Sequence, residues 1–176
     1  MNIGLVFGTD TGNTEEIGDQ IAAVFAEKGF AMDMINVMEA SPKVLESFDF
    51  IIMGIPTWDF GGIQEDWETF ESDLLTTNLS GKVVALYGLG DQLGYGEYFV
   101  DAMGWLHERV VKKGAKVVGE WSTEGYDFKA SLAVNKNKTS FYGLAIDDAQ
   151  QFDLTDQRIR GWVDLVVGEL QELDAA

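Results

Sequence analysis

The chain has 176 residues and no cysteine, with 12 Lys and Arg against 30 Asp and Glu and a formal net charge of −18. The missing cysteines exclude disulfide scaffolds, thiol catalysis and cysteine-ligated clusters. The acidity argues against nucleic acid or an anionic membrane as partner. The length predicts a single domain over residues 1–176. No stretch nears the roughly 18 apolar residues of a membrane span and no signal-peptide pattern is present, so the expected location is cytoplasmic.

Along the chain, apolar runs alternate with helical patterns. A strand is predicted at 2–8, a helix at 13–28, a strand at 31–37 and a short helix at 41–46. A strand at 48–54 follows, then a helix at 65–75, a strand at 82–88 and a helix at 96–113. A strand at 115–121 and a helix at 155–173 complete the series. The runs at 48–54 and 82–88 are almost wholly apolar, as strands buried on both faces require. This alternation predicts right-handed βαβ units around a parallel sheet. After Trp121 the rhythm breaks, and an insertion of about twenty residues is expected to split the last strand into two pieces.

Ligands of such sheets bind beyond the carboxyl ends of the strands, and three loops there are unusual. Thr9-Asp10-Thr11-Gly12-Asn13-Thr14 opens the first helix with hydroxyls and glycine but no Lys or Arg. A Walker A loop needs its lysine, so nucleotide triphosphate hydrolysis is not expected. The loop reads as a cradle for one phosphate, or as a plain helix cap through Thr11 or Asn13. Pro56-Thr57-Trp58-Asp59-Phe60-Gly61 follows the third strand and offers two large aromatics, either as a packed lid or as a stacking platform. Gly88-Leu89-Gly90-Asp91 and Tyr95 follow the fourth strand. Its spacing misses the dinucleotide fingerprint, which discounts a nicotinamide site.

One phosphate cradle and two aromatic loops match a mononucleotide with a flat ring, and here the chain resembles the long-chain bacterial flavodoxins. The resemblance covers essentially the whole sequence. Thr9–Thr14 fits the family's Thr/Ser-x-Thr/Ser-Gly-x-Thr loop. Gly54-Ile-Pro-Thr-Trp58 and Gly88-Leu-Gly-Asp-Gln-Leu-Gly-Tyr95 fit its ring-flanking loops. Trp121–Tyr126 and Gly143–Asp147 resemble the stretches around its split fifth strand. Pro56–Gly61 with Gln64-Glu-Asp-Trp67 looks closest to a second flavodoxin type of enteric bacteria.

The resemblance implies a flavodoxin-like three-layer α/β sandwich, its five-stranded parallel sheet in the order 2-1-3-4-5. It implies non-covalently bound flavin mononucleotide (FMN), with Thr9, Asp10, Thr11, Gly12, Asn13 and Thr14 at the phosphate. Trp58 would cover one ring face and Tyr95 the other, with Pro56, Thr57, Gly61, Gly88, Leu89 and Gly90 alongside. The Asp59–Phe60 peptide would turn its carbonyl towards flavin N5 on one-electron reduction. Asp91 and Tyr98 would lie by the pyrimidine edge, and Asp147 by the ribityl chain. No metal ligand and no catalytic residue are expected. Trp67 and Trp105 read as packing aromatics, and His107 has no catalytic role.

The function so implied is low-potential transfer of one electron at a time between redox proteins. Residues 1–108 carry nineteen acids and three lysines, whereas 109–176 carry eleven acids and nine bases. An acid about 10 Å from a ring that gains negative charge opposes it by about 1–2 kcal/mol at an effective dielectric near 20. Partners are expected to present basic docking surfaces to an acidic face around Glu65, Asp66, Glu68, Glu97 and Asp101. An NADP-dependent flavoprotein reductase and an acceptor enzyme are the expected pair, and the carrier is expected to be monomeric. An FMN-dependent reductase of small molecules such as quinones is the alternative. A flavin-free binding module of the same fold is a third reading.

Overall fold

A computed structural model describes residues 1–175. The elements are β1 (Ile3–Phe7), α1 (Asn13–Glu27), β2 (Asp33–Asn36), α2 (Pro42–Glu46), β3 (Phe50–Trp58), β4 (Gly62–Ile63), α3 (Glu65–Thr76) and β5 (Val83–Leu89). There follow α4 (Asp101–Lys112), β6 (Lys116–Val118), β7 (Trp121–Ser122), β8 (Ser140–Phe141), β9 (Leu144–Ile146), α5 (Asp148–Gln151) and α6 (Thr155–Ala175). Among the described residues, no helix is long and apolar enough to cross a membrane.

The main sheet runs β2-β1-β3-β5-β6, all parallel, and β9 joins the same edge of β5 further along. Lys116–Val118 pair with Val83–Ala85, and Leu144–Ile146 pair with Tyr87–Leu89. The fifth strand is thus one strand in two pieces, as the sequence predicts, with residues 119–143 looped out between them. That segment closes on its own antiparallel pair, β7 with β8.

Side-chain alternation explains the layers. Leu5, Phe7, Phe50, Ile52, Ala85 and Tyr87 face one side, where they pack with Ile21 and Phe25 of α1 and Trp162 and Val166 of α6. Val6, Ile51, Met53, Ile55, Val84 and Leu86 face the other, against Trp67 and Leu74 of α3 and Met103 and Leu106 of α4. A strand with helices on both faces must be apolar at nearly every position, which is the pattern of β3 and β5. One packing detail bears on the site. The Tyr87 ring occupies the space above Gly54, where a Cβ would lie 2.0 Å from its Cζ. Its buried hydroxyl donates to the Thr14 carbonyl at 2.8 Å, fastening the first turn of α1 to the sheet.

Three boundaries differ from expectation. The strand predicted at 48–54 runs on to Trp58, so Pro56, Thr57 and Trp58 lie inside β3 and not in the loop after it. The helix predicted at 96–113 begins at Asp101, because Val100 sits in the left-handed region (φ 49°) and turns occupy the residues before it. The strand predicted at 115–121 stops at Val118, where Gly119 takes φ 85°. Trp121 then enters the small hairpin instead of the sheet.

Candidate functional site

Helix α1 leaves β1 towards one face of the sheet and α3 leaves β3 towards the other. The chain therefore parts at the carboxyl ends of β1 and β3, which is where a doubly wound sheet opens a crevice. A cleft of about 410 Å³ lies there, within the range of small-ligand sites. All three loops singled out above contribute to it. Asp10, Thr11, Asn13 and Thr14 line it from the first, and Pro56, Thr57, Trp58 and Asp59 from the second. Leu89, Gly90, Asp91, Tyr95 and Tyr98 come from the third.

The first loop is built around Gly12 at φ 90°, a left-handed conformation that L side chains disfavour. Its N–H donates to Thr9 Oγ1 at 2.8 Å, so Thr9 closes the loop from within. Neither Thr11 nor Asn13 acts as the helix cap: α1 starts without any side-chain cap bond. The amides of its first turn are left facing the cleft end, the arrangement that binds an anion at a helix N-terminus. Asp10 is fixed from outside, where Gln64 Nε2 donates to its Oδ1 at 3.1 Å. Gln64 is fully buried and also caps α3 through Oε1 to the Trp67 N–H. The fully buried Trp67 donates its indole N–H to the Gly54 carbonyl at 2.9 Å. Loops one and two are therefore braced against each other.

The second loop is a hairpin. Strand β4 folds back on β3, pairing Ile63 with Thr57 and Gly62 with Trp58. Only Asp59, Phe60 and Gly61 turn the corner, with Asp59 at φ 46° and Gly61 at φ 84°. Thr57 Oγ1 accepts the Ala102 N–H at 2.9 Å, joining the hairpin to the start of α4. Trp58 and Tyr95 are each about two-fifths exposed, as a platform with a bare face must be. Phe60, 76% exposed, stands edge-on to Tyr95 and Tyr98 at 6.0 and 5.7 Å between ring centres.

Six residues from the expected set do not line the cleft: Thr9, Gly12, Phe60, Gly61, Gly88 and Asp147. Thr9 and Gly12 shape the first loop, Phe60 and Gly61 the tip of the second. Gly88 lies in β5 between the partners Ile55 and Ala145. Asp147 is 99% buried. Its two carboxylate oxygens accept the N–H groups of Gln92 and Gln150 at 2.9 and 3.0 Å, so it organises the cleft from behind. In its place Ile146, Asp148 and Ala149 line the wall. The register of β9 beside β5 brings them there, a pairing that the short apolar run at 144–146 only hints at.

The charge at the cleft has one sign. Asp10, Asp59, Asp91 and Asp148 line it and no Lys or Arg does. Burial would push the Asp91 carboxyl up, but hydrogen bonds from Gly94 N–H, Gln150 and Leu93 N–H outweigh it and hold the group below its ordinary value. The Asp59 carboxylate beside Tyr95 raises the phenol. One member of the expected acidic face is misplaced. Asp101 is 94% buried, its Oδ1 accepts the Leu132 N–H at 2.7 Å, and burial raises its carboxyl. Trp105 carries the Arg109 guanidinium over its ring, and His107 stacks on Tyr142 at 3.6 Å, both packing roles.

These features define a doubly wound α/β protein with an uncapped helix N-terminus and two aromatic walls at its switch point. The chain belongs to the flavodoxin family, whose model matches residues 5–162. It is 47% identical to flavodoxin 2 of Escherichia coli strain K12 over 172 residues, covering 98% of each chain. It is 46% identical to a flavodoxin of Picosynechococcus over 161 residues, 92% of this chain and 93% of the other. Among solved structures, the flavodoxin of Fusobacterium nucleatum bound to flavin mononucleotide superposes with a TM-score of 0.88. That pair is 34% identical and covers 96% of this chain and 98% of that one.

Proposed function

We propose that this protein carries electrons between redox proteins through non-covalently bound FMN. The observation that carries the reading is the pairing, in one cleft, of an uncapped α1 N-terminus with the half-exposed rings of Trp58 and Tyr95. The donor set fits FMN. A single phosphate suits the amides of the first turn of α1 and the hydroxyls of Thr11 and Thr14, and a flat ring suits the two aromatics. FMN, when bound, supplies a ring that takes up and releases electrons singly or in pairs.

The residues tune that chemistry. With Asp10, Asp59, Asp91 and Asp148 around it and no cation, the cleft disfavours added negative charge and so sets a low potential. Rings on both walls leave an edge, not a face, for exchange with a partner, which favours electron transfer over hydride transfer to a small substrate. Glu65, Glu68 and Glu97 are exposed beside the cleft and invite a basic docking surface, such as that of an NADP-dependent reductase or an acceptor enzyme.

The test is a reductive titration of the purified, FMN-loaded protein followed by its absorption spectrum. Two separated one-electron steps are expected, with the second potential well below that of free FMN. Steady turnover of NAD(P)H with a quinone by the protein alone would instead establish the reductase reading.

A further inference from the structure

The segment between β5 and α4 brings Asp91, Tyr95 and Tyr98 to the cleft, yet residues 90–100 form neither helix nor strand. Tyr95 is exposed and its ring neighbour Phe60 is more exposed still. The position of the Tyr95 ring therefore depends on what holds the loop backbone.

Two attachments to the looped-out segment 119–143 bracket the Tyr95 ring, and a third lies further on, where the Phe99 N–H donates to the Ala130 carbonyl at 3.2 Å. Gly96 O accepts the N–H groups of Lys129 and Ala130 at 2.8 and 3.0 Å. On the other side stands Gln92, 97% buried. Its main-chain N–H donates to Asp147 Oδ2 at 2.9 Å, and its Oε1 accepts the main-chain N–H of Asp127, 35 residues away. Its Nε2, also buried, has no partner among the described residues. The side chain is thus held through its acceptor oxygen, and a buried amide with an idle donor group costs stability. A residue kept only for packing would do better as an apolar side chain of the same length.

We propose that Gln92 is a positioning residue: by pinning the loop to the insertion at Asp127, it sets the Tyr95 wall of the cleft. The proposal rests on the FMN reading for its consequence, but the pin itself exists without the cofactor.

The experiment compares Gln92→Met, which keeps the length and removes the acceptor, with Gln92→Glu, which keeps an acceptor oxygen at the same reach. In Gln92→Met the FMN dissociation constant should rise about tenfold, the loss expected for one buried hydrogen bond. The visible absorption band of the bound flavin should change shape as Tyr95 moves. In Gln92→Glu the buried carboxylate adds a desolvation cost of its own, so there the pin is read by amide exchange: Asp127 should exchange more slowly than in Gln92→Met. In the flavin-free protein, amide exchange at Asp127 and across residues 93–98 should quicken together in Gln92→Met while the β5 amides stay protected. Wild-type affinity and spectrum in Gln92→Met, exchange at Asp127 as fast in Gln92→Glu as in Gln92→Met, or unchanged exchange at Asp127 in Gln92→Met would each overturn the proposal. If the unmodified protein fails to bind FMN, the functional reading falls, and the exchange measurement still decides the pin. Should Gln92→Met not fold, Gln92→Asn, too short to reach Asp127, carries the same expectations.

Discussion

Val100 and Asp101 stand side by side at the start of α4, and each is kept against a local cost. Val100 is a β-branched residue at φ 49°, a conformation that costs about 1–2 kcal/mol. It is also fully buried, and burial of a valine side chain contributes about 1.5–3 kcal/mol. Burial wins by a small margin. Val100→Gly should therefore lower stability by only about 1 kcal/mol in urea unfolding, whereas Val84→Gly in β5, which relieves no strain, should cost at least about 2–3 kcal/mol. Equal losses would show that Val100 is unstrained. Asp101 offers the opposite experiment. Its folded pKa is raised, so the buried carboxyl weakens the fold as pH rises through that value and ceases to do so below the ordinary range near 4. Asp101→Asn keeps an acceptor for the Leu132 N–H and removes the charge. It should melt higher than the parent protein at pH 7, and the gap should close as the pH is lowered towards 4.

Among the elements, the looped-out segment 119–143 is bound to the body by side chains reaching for its backbone. Arg158 of α6 donates to the Gly125 carbonyl at 3.1 Å and lies 3.9 Å over the Tyr126 ring. The Tyr126 hydroxyl accepts from Trp121 Nε1 and donates to the Ala145 carbonyl of β9 at 2.7 Å. Burial pushes its phenol up to about 12, against the opposing influence of Arg158. A raised phenol stabilises the fold below about pH 10 and loses that effect as pH climbs towards 12. Tyr126→Phe should cost about 1–2 kcal/mol at pH 7 by denaturant unfolding. Its deficit relative to the parent should shrink between pH 10 and 12. The elements also show what the chain made legible. Unbroken apolar runs rich in β-branched residues exposed β3 and β5, buried along nearly their whole length, and the break after Trp121 exposed the split strand. Glycine, hydroxyl and aromatic residues marked all three cleft loops. Long-range satisfaction was not legible. Nothing near Asp147 in the chain says that its carboxylate serves Gln92, 55 residues away. Nothing near Asp101 shows that an insertion thirty-one residues on will bury it. Both acids sit in motifs that suggest a ligand or a partner, and both are used up by backbone amides. The start of α4 was missed for a related reason: helical periodicity persists through residues 96–100, but the packed Val100 breaks the helix.

At the scale of the whole molecule, the charge pattern follows from the topology. In a parallel sheet every crossover helix runs opposite to the strands, so helix N-termini gather at the strand carboxyl ends, beside the cleft. Acids favour helix N-termini, and they occupy the first turns of α1 (Glu15, Glu16) and α3 (Glu65, Asp66, Glu68). Lys112 lies in the last turn of α4 and Lys116 opens β6, both at the far end. The helix dipoles alone thus favour negative charge around the cleft, and docking exploits a field that the fold already favours. The two contributions separate by experiment. Association with a basic redox partner, followed by stopped flow, should slow at least about tenfold between roughly 20 and 500 mM salt. Glu97→Gln, at the cleft end but outside any helix, should lower the rate at low salt and flatten its salt dependence while leaving stability unchanged. Glu172→Gln, exposed near the distant end of α6, removes the same unit of net charge and should leave the rate near that of the parent protein. If both variants slow association alike, net charge steers the encounter. If only Glu97→Gln does, the partner reads the acidic rim of the cleft.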